Sequence, residues 1–259
     1  MTIHYVEYGD KNDPLLIFLH GGGVSGWMWD KQVQYFSQYH CIVPDLPEQG
    51  QSTIGPNFSI QTSAEQLIEL IKEKANGQKV SVIGFSLGAQ ITLQILSLEP
   101  DLVDHAMINS ALVRPVPLAK QLIGPSIRLT FPLIKNKSFS KIQSKTLYIK
   151  EDYFDKYYKE SSQMKVETLI RILEENMSFR LPKDFPKAKG KILVTVGEKE
   201  KPVMKKSAMD IVKSNPNCKG VILSNVGHGI SLANPTYFNR MIETWIQEGN
   251  VPKEGIISM

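Results

Sequence analysis

The stretch VSVIGFSLGAQITLQI, residues 80–95, joins a strand-like run to a helix-like run through one serine. The residues before Gly84 are mostly apolar and β-branched, and apolar residues recur at helical spacing from Leu87 onward. Ser86 lies at the junction, between Gly84 and Gly88. Where a parallel strand turns sharply into a helix, small neighbours let the chain pass closely and the turn residue projects its side chain. The stretch therefore predicts a nucleophilic serine at the carboxyl edge of a sheet.

The same alternation of strand-like and helix-like runs extends along the chain. The strand candidates are residues 3–8, 15–19, 41–43, 80–83, 106–108, 192–196 and 221–223. The helix candidates are residues 29–37, 60–75, 88–98, 205–214 and 236–247. Several strand candidates are continuously apolar, which is typical of parallel strands covered on both faces. The pattern predicts an α/β fold with a mostly parallel, doubly wound sheet.

Residues 113–186 interrupt this alternation with six prolines and no clear strand–helix unit. We predict a helical cap, or lid, at 113–186, inserted into a core formed by 1–112 and 187–259. Residues 114–150 contain eight Lys or Arg and no Asp or Glu. We interpret this basic tract as a solvated face, with attraction to an anionic substrate or peripheral contact with lipid as alternatives. The apolar cap residues that either line an acyl pocket or pack on the core include Leu118, Leu122, Ile123, Leu129, Phe131 and Leu133.

A nucleophilic serine requires a general base and an acid that orients it. Among the five histidines, only His228 lies in a late strand-to-helix turn, NVGHGISLANP. The turn Gly197-Glu198-Lys199-Glu200 lies between the serine and this histidine in the chain. Glu198 and Glu200 are therefore both candidates for the acid, and the order is serine, acid, histidine.

Backbone donors for an oxyanion hole are predicted at two places. The run His20-Gly21-Gly22-Gly23 directly follows the strand candidate LLIFL, and its glycine backbone can approach a substrate carbonyl closely. The amide of Leu87 lies at the start of the helix after Ser86, where N–H groups are free to stabilise a developing anion. The sequence thus predicts donors from the glycine run and from Leu87.

Composition excludes several other classes of protein. The chain is 42% hydrophobic, and its net charge of +4 is too small to indicate a nucleic-acid partner. We find no secretory signal and no apolar run long enough to span a membrane. Cys41 and Cys218 have no disulfide or metal-ligand pattern, and no dinucleotide motif is present. We expect a cytoplasmic protein with no cofactor and no metal; the sequence carries no signal of its oligomeric state.

Together these stretches resemble the α/β-hydrolase superfamily, in the serine hydrolase branch with a helical cap between strands six and seven. The motifs that match are HGGGVSGWMW, VPDLPEQGQS, GFSLG, GEKE and GHGISLANP, which together extend over most of the chain. The resemblance implies an α/β-hydrolase sheet of seven or eight strands, because the short amino-terminal arm leaves little room for the family's first strand. It also implies Glu200 as the acid, and Gly22 as the first oxyanion donor with Gly23 as an alternative.

This resemblance implies hydrolysis of a small carboxylic ester, or a related acyl compound, through an acyl-enzyme on a Ser-His-Glu triad. The partner is then a small-molecule acyl substrate. C–C bond hydrolysis and a lyase reaction of the menaquinone-pathway type use the same residues; the lyase needs arginines such as Arg114 or Arg128 near an anionic substrate. A ligand receptor with slow turnover is a further alternative. The chain departs from the family at the acid, where Asp is usual, and at Glu48-Gln49, where Gly-His is common.

Overall fold

The structure is a computed structural model that describes residues 3–53, 55, 57–252 and 254–258. Positions 1, 2, 54, 56, 253 and 259 of the predicted core lie outside the described residues. The strands in the described part are β1 (Tyr5–Tyr8), β2 (Leu15–Leu19), β3 (His40–Pro44), β4 (Val80–Phe85), β5 (His105–Asn109), β6 (Lys191–Gly197), β7 (Cys218–Leu223) and β8 (Ile256–Ser258).

The described residues form ten α-helices. They are α1 (Asp30–Tyr35), α2 (Ile60–Lys74), α3 (Leu87–Leu98), α4 (Ala119–Thr130), α5 (Lys137–Thr146), α6 (Glu151–Gln163), α7 (Val166–Ser178), α8 (Pro202–Ser214), α9 (Ile230–Ala233) and α10 (Pro235–Glu248). Short 3-10 helices cover Gly26–Trp29, Phe131–Lys135 and Phe185–Lys187.

The eight strands form one sheet in the order β1-β3-β2-β4-β5-β6-β7-β8. Strands β2 to β7 are parallel to their neighbours, and the two edge strands, β1 and β8, are antiparallel. The predicted α/β fold with a mostly parallel sheet is confirmed. The sequence analysis missed β8, because a three-residue run has too little pattern to be recognised as a strand.

Burial explains why the central strands are continuously apolar. In β2, alternate side chains enter different cores: Leu15, Ile17 and Leu19 join one cluster, and Leu16 and Phe18 join the other. Helices α2, α3 and α8 cover the first face, and α1 and α10 cover the second. Both faces of the sheet are therefore buried from solvent, and hydrophobic burial on both sides stabilises the sheet.

The parallel register brings five loops to one edge of the sheet. Leu19 pairs with Gly84, Phe85 with Asn109, and Asn109 with Thr195, while Gly197 pairs with Leu223. The segments that leave β2, β4, β5, β6 and β7 at their carboxyl ends consequently start side by side. This edge is the usual position of a binding crevice in an open α/β sheet.

The chain between β5 and β6, residues 110–190, is described throughout and contains helices but no strand. Helices α4 to α7 lie in this segment, which spans the range predicted for the cap. Phe154 and Tyr157 of α6 join one core cluster, and Ile172 of α7 joins the other. Helices α6 and α7 therefore attach the segment to the sheet, whereas α4 packs mainly against α7.

Candidate active site

Ser86 occupies a strained turn between β4 and α3. Its φ of 52° and ψ of −109° lie where a residue with a Cβ is uncommon. The flanking glycines allow the turn, because a Cβ on Gly88 would lie 2.2 Å from the carbonyl oxygen of Leu19. A Cβ on Gly84 would lie 2.5 Å from the carbonyl oxygen of Gly88. The turn places the serine hydroxyl at the carboxyl edge of the sheet.

His228 lies in the loop after β7 and bridges the serine and a carboxylate. Its Nε2 is 3.0 Å from Ser86 Oγ, and its Nδ1 is 2.7 Å from Glu200 Oε2. The imidazole also packs against the ring of Phe85, with the ring centroids 5.0 Å apart. The three side chains thus form a continuous hydrogen-bonded chain, although they come from three distant loops. With the proton on Nδ1, Nε2 is free to accept the serine proton.

Glu200 is buried and receives three hydrogen bonds. Ser110 Oγ donates to its Oε1 over 2.6 Å, the Gly197 amide donates to the same oxygen over 2.9 Å, and His228 Nδ1 contacts Oε2. Burial alone would raise the pKa of Glu200, but these bonds and the nearby imidazole bring that pKa below its ordinary value. The carboxylate is therefore ionised at neutral pH and can stabilise an imidazolium.

Glu198, the other candidate acid, takes a different position. Its Oε2 accepts a hydrogen bond of 2.8 Å from the backbone amide of Asn225, three residues before His228. The contact ties the turn after β6 to the histidine loop. Glu198 therefore holds the backbone near the site, while Glu200 contacts the imidazole itself.

His20 is completely buried and holds the glycine run in place. Its Nδ1 is 2.7 Å from the carbonyl oxygen of Gly21, and its Nε2 is 2.9 Å from the amide nitrogen of Leu46. The first contact requires a proton on Nδ1, and the second requires a lone pair on Nε2. Burial lowers the pKa of His20, which matches this neutral form. His20 thus links the loop after β2 to the loop after β3.

The predicted oxyanion donors differ in their surroundings. A Cβ on Gly22 would lie 3.6 Å from Leu87 Cδ2, so the glycine run and the start of α3 pack together. Among the described residues, the Gly22 amide has no hydrogen-bond acceptor. The Gly23 amide donates to Gln49 Oε1 over 2.9 Å and is already engaged. The arrangement favours Gly22 and Leu87 over Gly23 as donors to a substrate.

The unusual Glu48-Gln49 pair connects the core to α7. Glu48 forms a bidentate ion pair with Arg171, and its Oε1 also accepts a hydrogen bond of 3.0 Å from Thr168 Oγ1. The contacts with Arg171 and Thr168 direct the carboxylate of Glu48 toward α7, and a hydrogen bond of 2.7 Å from the Phe58 amide also holds it. Glu48, which replaces the glycine common at this position, therefore joins the loop after β3 to helix α7.

Sequence reasoning missed several residues around the site. Ser110 bonds Glu200, Gln49 bonds Gly23, and Tyr148 Oη accepts a hydrogen bond of 3.0 Å from the Gly227 amide. A signal for Ser110 was present in the sequence, because Ser110 lies two residues after the strand candidate 106–108 at the functional edge. The contacts of Gln49 and Tyr148 depend on chain segments that are distant in sequence, and no local pattern indicates them.

A cavity of about 240 Å³ lies between the glycine run and the helical segment. Its lining is mostly apolar and comprises Gly23, Ile127, Thr130, Ile134, Phe139, Gln143, Tyr157, Ser161, Met164, Leu169 and Leu173. A neighbouring cavity of about 150 Å³ also reaches Gly23 and is lined by more polar groups, including Glu48, Gln49 and Glu160. Both cavities reach Gly23, next to Gly22.

Most of the apolar residues considered for an acyl pocket lie elsewhere. Leu118, Leu122, Leu129 and Leu133 are exposed on the outside of the segment, and Ile123 is buried against α7. The expectation that they line a pocket or pack on the core is wrong for these four leucines. The sequence predicted a helical segment here, but it did not show which side of each helix faces inward.

The residues that the structure describes include no helix long and apolar enough to cross a bilayer. Across the same residues, no group of three or more His, Cys, Asp or Glu side chains is placed to hold a metal ion. The residues at the site instead offer a hydroxyl, an imidazole, a carboxylate and backbone amides. Such a set is suited to nucleophilic attack and to proton transfer.

Comparison with known proteins shows the family. Residues 14–235 match the family model for the alpha/beta hydrolase fold. A 124-residue stretch is 32% identical to (E)-2-((N-methylformamido)methylene)succinate hydrolase from Acinetobacter baylyi, covering 47% of this chain and 46% of that protein. Lipase 1 from Psychrobacter immobilis is 25% identical over 236 residues, which cover 86% of this chain and 74% of the lipase.

The chain spans less than half the length of several curated relatives that it matches. Among solved structures, MenH from S. aureus superposes with a TM-score of 0.75 at 16% identity, covering 96% of this chain and 99% of the other. At that identity the likeness concerns the fold. Because the family match extends from before β2 to the start of α10, the chain belongs to the alpha/beta hydrolase fold family.

Proposed function

We propose that this protein is a serine hydrolase that cleaves small carboxylic esters or related acyl compounds. The observation that carries the proposal is the hydrogen-bonded chain from Ser86 Oγ through His228 to Glu200, with distances of 3.0 and 2.7 Å. This chain lies beside unengaged backbone amides at the carboxyl edge of the sheet. The esterase, lipase and hydrolase names among its relatives support the same class of reaction.

The reaction proceeds through an acyl-enzyme. Ser86 Oγ attacks the carbonyl carbon while His228 Nε2 takes the hydroxyl proton, and the Gly22 and Leu87 amides stabilise the oxyanion. The tetrahedral intermediate collapses, and the alcohol leaves with the proton from His228. A water molecule then attacks the acyl carbonyl and gives one proton to the same nitrogen. The second tetrahedral intermediate collapses, the acid leaves, and His228 returns the proton to Ser86 Oγ. Glu200 remains ionised and stabilises the imidazolium throughout.

The cavity favours a substrate with a compact apolar group. Its volume of about 240 Å³ lies below the roughly 300–1,000 Å³ usual for larger ligands. Ile127, Phe139 and Leu173 provide apolar walls, and Gln143 provides a polar contact. We therefore expect short or medium acyl chains to be preferred, with the segment at 113–186 acting as a cap over the acyl group.

The lyase alternative requires cations around an anionic substrate, and the two arginines considered for that role are directed elsewhere. Arg114 forms a bidentate ion pair with Asp210 of α8 and is exposed, and Arg128 is exposed on α4. Arg171 is paired with Glu48. These pairings favour an uncharged acyl substrate over a polyanionic one.

The test is turnover of a series of p-nitrophenyl esters of increasing chain length by the wild type and by Ser86→Ala. We expect the wild type to prefer short or medium chains and the variant to lose turnover by about 10⁴-fold or more. Retained activity in the variant would exclude the serine mechanism. A fluorophosphonate probe that labels Ser86, together with very slow kcat on the whole series, would instead indicate a ligand receptor.

A further inference from the structure

The outer face of helix α4 carries large aliphatic side chains that are exposed to solvent. Leu122, Pro125 and Leu129 are spaced by three and four residues and therefore share one side of the helix. Leu118 precedes the helix, and Leu133 follows it. The exposed fractions are 61% for Leu118, 58% for Leu122, 83% for Leu129 and 46% for Leu133. A surface helix usually presents polar residues to solvent, so this face indicates a contact surface.

The opposite face of α4 is also apolar and belongs to the interior. Ile123 is buried in a small cluster with Ala119 and Ile170, and Ile127 packs against that cluster. Ile127 and Thr130 also line the 240 Å³ cavity. Helix α4 is thus apolar on two sides, and folding of the chain buries only one of them. Core packing accounts for the inner face and leaves the outer face without a role.

The stretch of chain that contains α4, residues 114–150, carries basic residues and no acidic ones. Of the eight basic residues between 114 and 150, three are paired with acids beyond the tract: Arg114 with Asp210, Lys137 with Asp155, and Lys141 with Glu151. In the described part of the chain, the other five have no carboxylate within the 4.0 Å of an ion pair. They are Lys120, Arg128, Lys135, Lys145 and Lys150, and all five are exposed. A partner surface that complements this face is therefore anionic as well as apolar.

An open groove at the amino end of α4 is lined by both aliphatic and basic side chains. It has a volume of about 400 Å³, and its lining includes Val116, Leu118, Lys120 and Arg180. The two cations lie next to exposed aliphatic side chains of the outer face. A groove with this lining fits a phosphate headgroup that is attached to an acyl chain.

We propose that the outer face of α4 docks on an anionic phospholipid bilayer. The leucines enter the boundary between headgroups and acyl chains, and the unpaired lysines and arginines contact lipid phosphates. A second copy of this chain would bring another basic tract against the first and would be repelled. Because the inner face of the same helix lines the cavity, docking places the cavity close to the lipid. The contact does not depend on the triad.

Vesicle sedimentation of the full chain tests this docking. The vesicles consist of phosphatidylcholine alone, or of phosphatidylcholine with about one quarter phosphatidylglycerol. We expect binding to the anionic vesicles, weaker binding to the neutral ones, and loss of binding as salt is raised. Leu122→Gln with Leu129→Gln should weaken anionic binding about tenfold or more. Leu98→Gln with Met209→Gln changes two exposed side chains on other helices and should leave binding unchanged.

Two further variants test whether vesicle binding depends on the basic residues and whether it depends on catalysis. Lys120→Gln with Arg128→Gln should weaken binding to anionic vesicles about tenfold and leave any binding to neutral vesicles unchanged. Ser86→Ala should bind like the wild type, so failure of the proposed ester hydrolysis is distinguishable from failure of docking. Circular dichroism checks that each variant is folded.

Three results would overturn the docking proposal. One is equal or absent binding of the wild type to both kinds of vesicle. Another is unchanged binding of the folded Leu122→Gln, Leu129→Gln variant. The third is a concentration-dependent dimer of the wild type, measured by analytical ultracentrifugation, that the same leucine variant dissociates. In that case the outer face of α4 would be covered by a second copy of the chain.

Discussion

At the scale of single residues, two glutamates separated by one lysine differ in what they contact. Glu200 contacts the imidazole of His228 and is buried, whereas Glu198 bonds a backbone amide of the neighbouring loop. An ionised carboxylate on Nδ1 stabilises the positive charge that His228 gains during the proposed reaction. The assignment of the acid can therefore be tested with two matched substitutions.

Glu200→Gln should lower kcat by roughly 10³- to 10⁴-fold, because the neutral amide no longer fixes the imidazole tautomer or its charge. Glu198→Gln keeps an oxygen that can accept from the Asn225 amide and should change kcat by less than about threefold. Initial rates on one p-nitrophenyl ester measure both. A large loss in the Glu198 variant with a small loss in the Glu200 variant would reverse the assignment.

The structure brings together the candidate site residues that the sequence placed in turns after strands. Ser86, Glu200 and His228 come from turns after β4, β6 and β7, and the carboxyl ends of parallel strands meet at one edge. The bond from Gln49 to Gly23 could not be predicted, because its partners lie in separate loops whose approach depends on the whole fold. Local pattern therefore indicates which residues reach the edge, and packing determines which atoms meet there.

At the scale of elements, the turn from β4 into α3 depends on close approach of backbones. A Cβ on Gly88 would lie 2.2 Å from a carbonyl oxygen of β2, which cannot move without shifting the sheet. Gly124, inside α4, has only the flexible Arg128 guanidinium near the position of a Cβ, at 3.3 Å. The same substitution should therefore destabilise the protein much more at Gly88 than at Gly124.

Gly88→Ala should lower the free energy of unfolding by about 2–3 kcal/mol through overpacking. Gly124→Ala should change it by less than about 1 kcal/mol, because the smaller entropy loss of alanine in a helix is opposed by crowding between its Cβ and the ring of Pro125. Urea unfolding followed by circular dichroism measures both changes. Equal stability of Gly88→Ala and the wild type would mean that the turn tolerates a wider separation than the structure indicates.

Helix α4 shows where prediction from sequence was incomplete at this scale. The sequence predicted a helical segment here, but the apolar residues of α4 lie on two faces, and only the inner one contacts α7 and the cavity. Periodicity gives the angular positions of side chains around a helix and not the direction of the protein interior. The leucines considered for an acyl pocket are exposed, and Ile127, on the inner face, lines the cavity instead.

Helix α6 contacts the loop after the glycine run through a buried carboxylate. Ser25 Oγ and Trp27 Nε1 each donate to Glu160 over 2.8 Å. Burial raises the pKa of Glu160, and the nearby Asp45 adds to this, although the two hydrogen bonds and Lys156 oppose it. The pKa of Glu160 is therefore higher in the folded than in the unfolded protein. At pH values between these two pKa values the folded protein binds more protons, so the contribution of Glu160 to stability decreases as pH rises through this range.

Glu160→Gln removes this titration, while its amide can still pair with Trp27 and Ser25. We expect the free energy of unfolding of the variant, relative to the wild type, to increase as pH rises from the ordinary glutamate pKa toward neutrality. Urea unfolding of both proteins at a series of pH values measures the difference. A constant difference, or one that decreases over this range, would contradict the raised pKa.

At the scale of the whole molecule, burial is unevenly distributed. Two large clusters cover the faces of the sheet, whereas among the described residues the third cluster contains only Ala119, Ile123 and Ile170 as buried hydrophobic residues. Helices α6 and α7 contribute Phe154 and Ile172 to the large clusters, but α5 buries only two serines of its own. Local stability should therefore decrease from the sheet through α6 and α7 to α4 and α5.

Native-state hydrogen exchange should show this order directly. We expect the amides of α4 and α5 to exchange fastest among the long helices, those of α6 and α7 at intermediate rates, and those of β4 only on global unfolding. Helix α4 forms one wall of the cavity, so the openings that expose its amides would also admit an acyl group beside Gly23. Exchange measured by mass spectrometry at increasing urea tests the order. If α4 and β4 opened together, the segment would be part of the same cooperative unit as the sheet, and substrate would have to enter the closed structure by another path.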